Sequence, residues 1–162
     1  MLIKRVVINS SPLIVLFKSQ QAGLLPQLFS EIIVPAGVWD EITTVGQNDI
    51  ACKGLSNVTW AQRVEINEVA PQVAAWDLGK GESDVLTFAL NNSDFAVIID
   101  DRAARRCSQA LGIITIGTGR LIILAKQRGL IDSVSPRIQA LQNAGLWLSD
   151  SLVNLLKEQA GE

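Results

Sequence analysis

The chain has 162 residues, 48% apolar and 19% charged, with a formal net charge of −2. That is enough for one compact domain with a sizeable core and short for two, and it provides no global basic field to draw in nucleic acid. There is no His and no Tyr, which excludes Ser-His-Asp and Cys-His nucleophile pairs, His-ligated zinc and a His proton shuttle, so hydrolytic chemistry must rest on carboxylates, Lys, Ser or Thr, or on a metal held by oxygen ligands.

In chain order, residues 6–8 (VVI) read as a strand. Ser11-Pro12 then opens a helix to about residue 18, Pro being favoured at a first helical position. A short helix over 24–29 precedes a strand over 31–34 in EIIVP, closed by Pro35, and the next helix runs through Val38, Trp39 and Glu41. Residues 47–67 are the least readable, with a helix near 49–55 and a weak strand near 58–61. An amphipathic helix over 81–90 and a strongly apolar strand over 95–99 follow. Next come a helix over 102–111 ending at Gly112, a strand over 113–116, and a helix over 117–128 stopped by Gly129. The tail adds amphipathic helices over 136–144 and 151–159. Strands alternating with helices predict an α/β fold with a parallel sheet, and the fully apolar strands VVI and FAVII fit burial on both faces. Residues 1–162 are expected to form a single domain, with the helices from about residue 136 packing on or extending it.

No apolar run reaches the ~18 residues of a membrane span. MLIKRVVINSSP lacks the apolar segment and cleavage site of a signal peptide, so the expected location is cytoplasmic. Cys52 and Cys107 fit neither a disulfide framework nor a zinc site and read as small buried or half-buried residues.

In open parallel sheets, ligands bind beyond the carboxyl ends of the strands, near a switch in strand order. Asn9-Ser10-Ser11 follows the first strand, Asp100-Asp101-Arg102 follows strand 95–99, and Gly117-Thr118-Gly119 follows strand 113–116. Glu41 and Glu82 lie near helix beginnings in the remaining units. Asn9 is either part of a polar turn or the first member of a site. Glu82 and Asp84 are about 200° apart on a helix. Glu82 shares its stripe with Val85, Leu86 and Ala89, so Glu82 is expected to face the buried side and Asp84 the solvent. The plainer reading of Glu82 is a first-turn acid stabilised by the helix dipole. Asp100 and Asp101 face opposite sides, so either one enters a site while the other caps a helix, or both cap. Glu41 borders the stripe of Val34, Val38 and Ile42, as a site acid or as an ordinary exposed Glu. Carboxylates converging without His describe a hard-cation site, since Mg²⁺ takes oxygen ligands and keeps several waters.

Five segments in order, INSSPLIVL, VPAGVWDEI, GKGESDVLTFAL, IIDDRAARRCSQALGI and IGTGRLIILAKQRGLI, resemble the PIN-domain superfamily of metal-dependent ribonucleases. The resemblance runs from Val6 to the C-terminal helix, and is strongest to a branch of small prokaryotic PIN-like proteins related to toxin nucleases. It implies a three-layer α/β/α fold, with a central parallel sheet flanked by helices and acids gathered around Mg²⁺ or Mn²⁺ to cleave single-stranded RNA. Carried over by position, the first family acid falls on Asn9, the second on Glu41, the third on Glu82 and the fourth on Asp100 or Asp101. The implied catalytic set is Glu41, Glu82, Asp100 and Asp101, and the implied metal set is Asn9, Glu82, Asp100 and Asp101. Ser10 matches the hydroxyl residue beside the first acid, and Thr118 lies where some relatives have a further acid or hydroxyl; both are candidate substrate contacts. Asn9 departs from the pattern: its amide oxygen can ligate a cation, but the missing charge should lower metal affinity.

Arg102, Arg105 and Arg106 form one helical ridge, with Arg120 also near this edge. The ridge either holds a phosphate backbone, making Arg102 and Arg105 substrate contacts, or pairs with nearby acids. Trp39, Trp60, Trp76 and Trp147 show no stacking-platform spacing and read as core or interface. The leading expectation is a Mg²⁺/Mn²⁺-dependent endoribonuclease, including the toxin half of a toxin–antitoxin pair. Its partners would be single-stranded RNA, an antitoxin protein and a second copy of the chain, since the family commonly dimerises. The rival is a nuclease-dead PIN-fold module that binds RNA or a protein. A receiver-like phosphotransfer domain fits worse, because its acid pair should follow the first strand.

Overall fold

The computed structural model describes residues 2–162. Its core is a five-stranded, all-parallel sheet. The strands are β1 (Arg5–Ile8), β2 (Glu31–Pro35), β3 (Ala61–Val64), β4 (Ala96–Ile98) and β5 (Thr115–Ile116), in the order β3-β2-β1-β4-β5. The helices are α1 (Ser10–Lys18), α2 (Leu24–Leu28), α3 (Ala36–Thr43), α4 (Ile50–Asn57), α5 (Pro71–Ala74), α6 (Lys80–Asn91), α7 (Arg102–Ala110), α8 (Thr118–Gln127), α9 (Ser135–Asn143) and α10 (Asp150–Gln159).

The chain winds from β1 to β2 and β3 in one direction, then crosses back to β4 and β5 on the other side of β1. Right-handed crossovers place helices from opposite winding directions on opposite faces. α1 and α2 therefore lie on one face and α5, α6 and α7 on the other, giving a three-layer α/β/α fold. α6 packs on β1, β2 and β4, α8 packs with α2, α9 and α10, and α3 touches both α1 and α6 across the edge between layers. Val6, Val7, Ile8, Val97, Ile98 and Ile99 are fully buried, and burying each such side chain contributes roughly 1.5–3 kcal/mol. This explains why both central strands read as unbroken apolar runs.

Strand order reverses between β1 and β4, so their carboxyl ends form the crevice of the sheet. The Asn9 N–H donates to Ile98 O at 3.1 Å across this junction.

Two local expectations needed correction. The weak strand expected near 58–61 lies at Ala61–Val64, pairing Ile32 with Ala61 and Val34 with Arg63. The apolar signal had come from Trp60, which stacks on Phe17 with ring centroids 6.1 Å apart. The strand itself is a polar edge, where Arg63 pairs with Asp40 and Glu65, charges that suit an edge exposed to water. The short helix α5, opened by Pro71, has no counterpart among the expected elements.

The C-terminal helix is held through its second half and the residues beyond it. Leu156 packs on Gly119 at the start of α8, where an added Cβ would lie 2.7 Å from Leu156 Cδ1. Beyond the helix, the Glu162 carboxylate accepts from Lys126 Nζ (2.8 Å), Ser133 Oγ (2.7 Å), the Val134 N–H (2.8 Å) and Ser135 Oγ (2.9 Å). Lys126, followed by Ser133 and Val134, holds this carboxyl well below the usual carboxylate range. Cys52 and Cys107 are free and buried, and burial pushes the Cys107 thiol up. Among the described residues, no helix is long and apolar enough to cross a membrane.

Candidate active site

Asn9 follows β1 directly and occupies the N-cap position of α1 with extended backbone, yet its side chain makes no capping bond. A capping side chain accepts from the second or third helical N–H, and one of these is missing because the third helical residue is Pro12. The carboxamide turns inward instead: Asn9 is 3% exposed, and its Oδ1 is buried without a hydrogen-bond partner.

That oxygen meets the start of α6 at Gly81. A Cβ on this glycine would lie 3.1 Å from Asn9 Oδ1 and 3.4 Å from Glu41 Oε2. Side chains from α1's cap and from α3 therefore converge on one backbone position, where a Cβ would press on Asn9 Oδ1. Glu41 is exposed as a residue, but its carboxylate reaches this point. Glu82, in the first turn of α6, is half-buried and folds back over its own helix start, with Oε2 2.6 Å from where a Cβ on Gly79 would be. Glu41, Glu82, Asp40, Lys80 and the glycines line an open cleft of about 530 Å³.

Asp84 reverses the expectation drawn from helix periodicity. It is 1% exposed, whereas Glu82 is half-buried. The stripe argument assumed one buried face, but α3 covers the flank of α6 expected to meet solvent. Gly37 permits the approach, with Asp84 Oδ2 2.8 Å from its would-be Cβ. Lys80 Nζ bonds the same oxygen at 2.9 Å, and Asp84 Oδ1 has no partner. The overlooked signal was the Lys80–Asp84 i,i+4 spacing, together with a glycine in VPAGVWDEI.

The tandem acids divide between two helix starts. Asp100 Oδ1 accepts from the Thr118 N–H at 2.9 Å, and Oδ2 from Thr118 Oγ1 at 2.5 Å, at the beginning of α8. Asp101 is exposed and caps α7 through the Ala104 N–H at 2.9 Å. A Cβ on Gly117 would be 3.0 Å from Arg105 Nη1 and 3.4 Å from Asp100 Oδ1, so Arg105 and Asp100 border the same turn. Thr118 is buried and its hydroxyl is engaged by Asp100. Ser10 is buried in the first turn of α1. Arg102, Arg106 and Arg120 are exposed and Arg105 half-buried.

Asn9, Glu41 and Glu82 are thus gathered around the start of α6, while Asp100 stands beyond β4, next to β1, and is held by Thr118. Among the described residues, no three Asp, Glu or Cys side chains come together closely enough to form a metal site by themselves. The donor set nevertheless fits a sparsely ligated, water-rich ion. An orphaned buried acceptor costs about 1–3 kcal/mol, which a cation or its water would relieve, and Mg²⁺ is commonly held by only one or two carboxylates.

The family model of the PIN domain matches residues 5–162. The chain belongs to the PIN-domain family. No curated protein matches it. The family is nuclease-like and generally dependent on divalent metal, in keeping with a PIN domain whose polar side chains gather at the carboxyl edge of its parallel sheet.

Proposed function

We propose that this PIN domain is a divalent-metal-dependent endoribonuclease acting on single-stranded RNA. The observation that carries the reading is the buried, unpartnered Asn9 Oδ1, which shares Gly81 with Glu41 at the switch in strand order. Asn9 and Glu41 would hold the ion, with Glu82 and Asp100 completing its surroundings through water. When bound, a divalent ion supplies Lewis acidity and neutralises charge developing on the phosphodiester. The protein's own groups orient the strand. Thr118 fixes the Asp100 carboxylate at one side of the crevice, and Gly79 and Gly81 leave room for acid oxygens at the other. Asp101, committed to capping α7, serves by placing the arginine ridge beside Asp100. As a toxin, the domain would meet an antitoxin protein and work as a homodimer, one domain per chain.

Incubation of labelled single-stranded RNA with purified protein and Mn²⁺ tests this. Glu82→Gln should reduce the cleavage rate by ~10–100-fold, the loss that follows removal of an outer-shell metal partner. Unchanged cleavage sinks the assignment.

The sparse acid set specifically favours a second reading, a PIN-fold module that has lost catalysis and binds RNA or a protein. Under that reading Mn²⁺ gives no calorimetric heat at millimolar concentration, and Asn9→Asp restores binding by adding the missing charge.

A further inference from the structure

A second cleft, of about 580 Å³, opens beside Asp100 between α7 and the turn that joins α9 to α10. Its α7 wall carries Arg102, Arg105 and Arg106. Among the described residues, none of these three guanidiniums has a carboxylate within ion-pair distance, whereas Arg5 pairs with Glu31 and Asp94, and Arg63 with Asp40 and Glu65. Three cations on one helix repel one another by Coulomb's law, so an arrangement that leaves them unpaired suits an anion supplied from outside.

The facing wall carries Trp147, which is 82% exposed. Gly145, with φ +113, turns the chain just before it, and the packing of Leu156 on Gly119 anchors the helix that follows. An indole held in water by an anchored turn, across a cleft from free guanidiniums, meets the two requirements of a single-stranded nucleic acid: a flat face for a base and cations for the phosphates. A helical peptide needs a stripe of apolar pockets at i, i+3 and i+4 spacing; the apolar lining here, Leu146, Trp147, Leu148 and Leu152, lies on one wall only, and the opposite wall carries three guanidiniums.

We propose that this cleft is a subsite for the RNA strand, in which Arg102, Arg105 and Arg106 hold backbone phosphates and Trp147 stacks on a base, so that the strand passes Asp100. Trp147 is a positioning residue here. The identity of the strand rests on the nuclease reading, but binding does not require cleavage.

The test is fluorescence anisotropy of a short labelled oligouridylate with the full chain in EDTA, where no metal-dependent cleavage can occur. Trp147→Ala should weaken binding about tenfold, as loss of one base–aromatic stack does, while Trp147→Phe keeps most of the affinity. An otherwise identical oligomer with abasic sites should bind wild type and Trp147→Ala equally. The double variant Arg102→Gln/Arg106→Gln should flatten the logarithmic salt dependence by about 1.4, or ~0.7 for each phosphate contact on a single strand. Equal affinity of wild type and Trp147→Ala for the oligouridylate, or an abasic oligomer that discriminates between them as strongly, overturns the subsite. So does an acidic peptide whose binding alone responds to Trp147→Ala. A protein that binds as expected but never cleaves RNA with Mn²⁺ defeats the nuclease reading and leaves the subsite standing.

Discussion

The two ends of the polar inventory are treated in opposite ways. At the C-terminus, the Glu162 carboxylate is surrounded by an ammonium, two hydroxyls and two backbone N–H groups. At Gly81, the Asn9 amide oxygen and the Glu41 carboxylate approach a bare glycine, and Asn9 Oδ1 has no donor at all. The first arrangement is complete within the chain and closes α10 against α8 and α9. The second is incomplete within the chain, and an orphaned acceptor is tolerated where something from outside can satisfy it. Gln21 Oε1 and Asp84 Oδ1 are orphaned as well, so what distinguishes Asn9 is that a second acceptor, the Glu41 carboxylate, meets it at Gly81.

The sharpest attack on that contrast is Gly81→Ala. The new methyl would press on Asn9 Oδ1, 3.1 Å away, and shift it by a few tenths of an ångström, while Glu41 Oε2 at 3.4 Å would be in ordinary contact. Small displacements of reacting groups are costly, so Mn²⁺-dependent cleavage should fall about tenfold or more while the melting temperature holds. Full activity in this variant would mean that the convergence at Gly81 has no functional content. Asp101→Ala should instead act on stability. Losing an N-cap costs about 1 kcal/mol, readable by urea denaturation, and cleavage by the folded protein should change far less than in Asp100→Asn. Equal catalytic losses in the two would contradict the division of labour between these neighbouring acids.

The smallest effect is expected at Glu162, whose carboxyl is held below its unfolded value of about 4.3. A depressed folded value means the clasp stabilises fully above the unfolded value and loses its effect as pH falls through the folded one. Wild type should therefore melt above Glu162→Gln near neutral pH, and the two should converge in strong acid. A gap independent of pH would show that the clasp acts by shape and not by charge.

Much of the architecture was legible locally. Apolar runs at 6–8 and 95–99, a helix cap within Asp100-Asp101, and the helix stops at Gly112 and Gly129 follow from propensity and turn chemistry. The strand-end positions of Asn9 and Asp100 followed from the same periodicities. The edge strand Ala61–Val64 was harder because its outward residues are polar, and Asp84 was misread because periodicity assigns a helix one buried face while α6 is covered on two.

The sequence by itself determined the order of strands and helices and which oxygen-bearing side chains fall after strand ends, because these depend on neighbours a few residues apart. Only the tertiary structure decided that Asn9 and Glu41 share Gly81, that Asp84 is buried against Gly37 with Lys80 on its carboxylate, and that Trp147 stands across a cleft from the arginines of α7. Each of these depends on how packed layers cover one another, a relation between distant segments that no local pattern encodes.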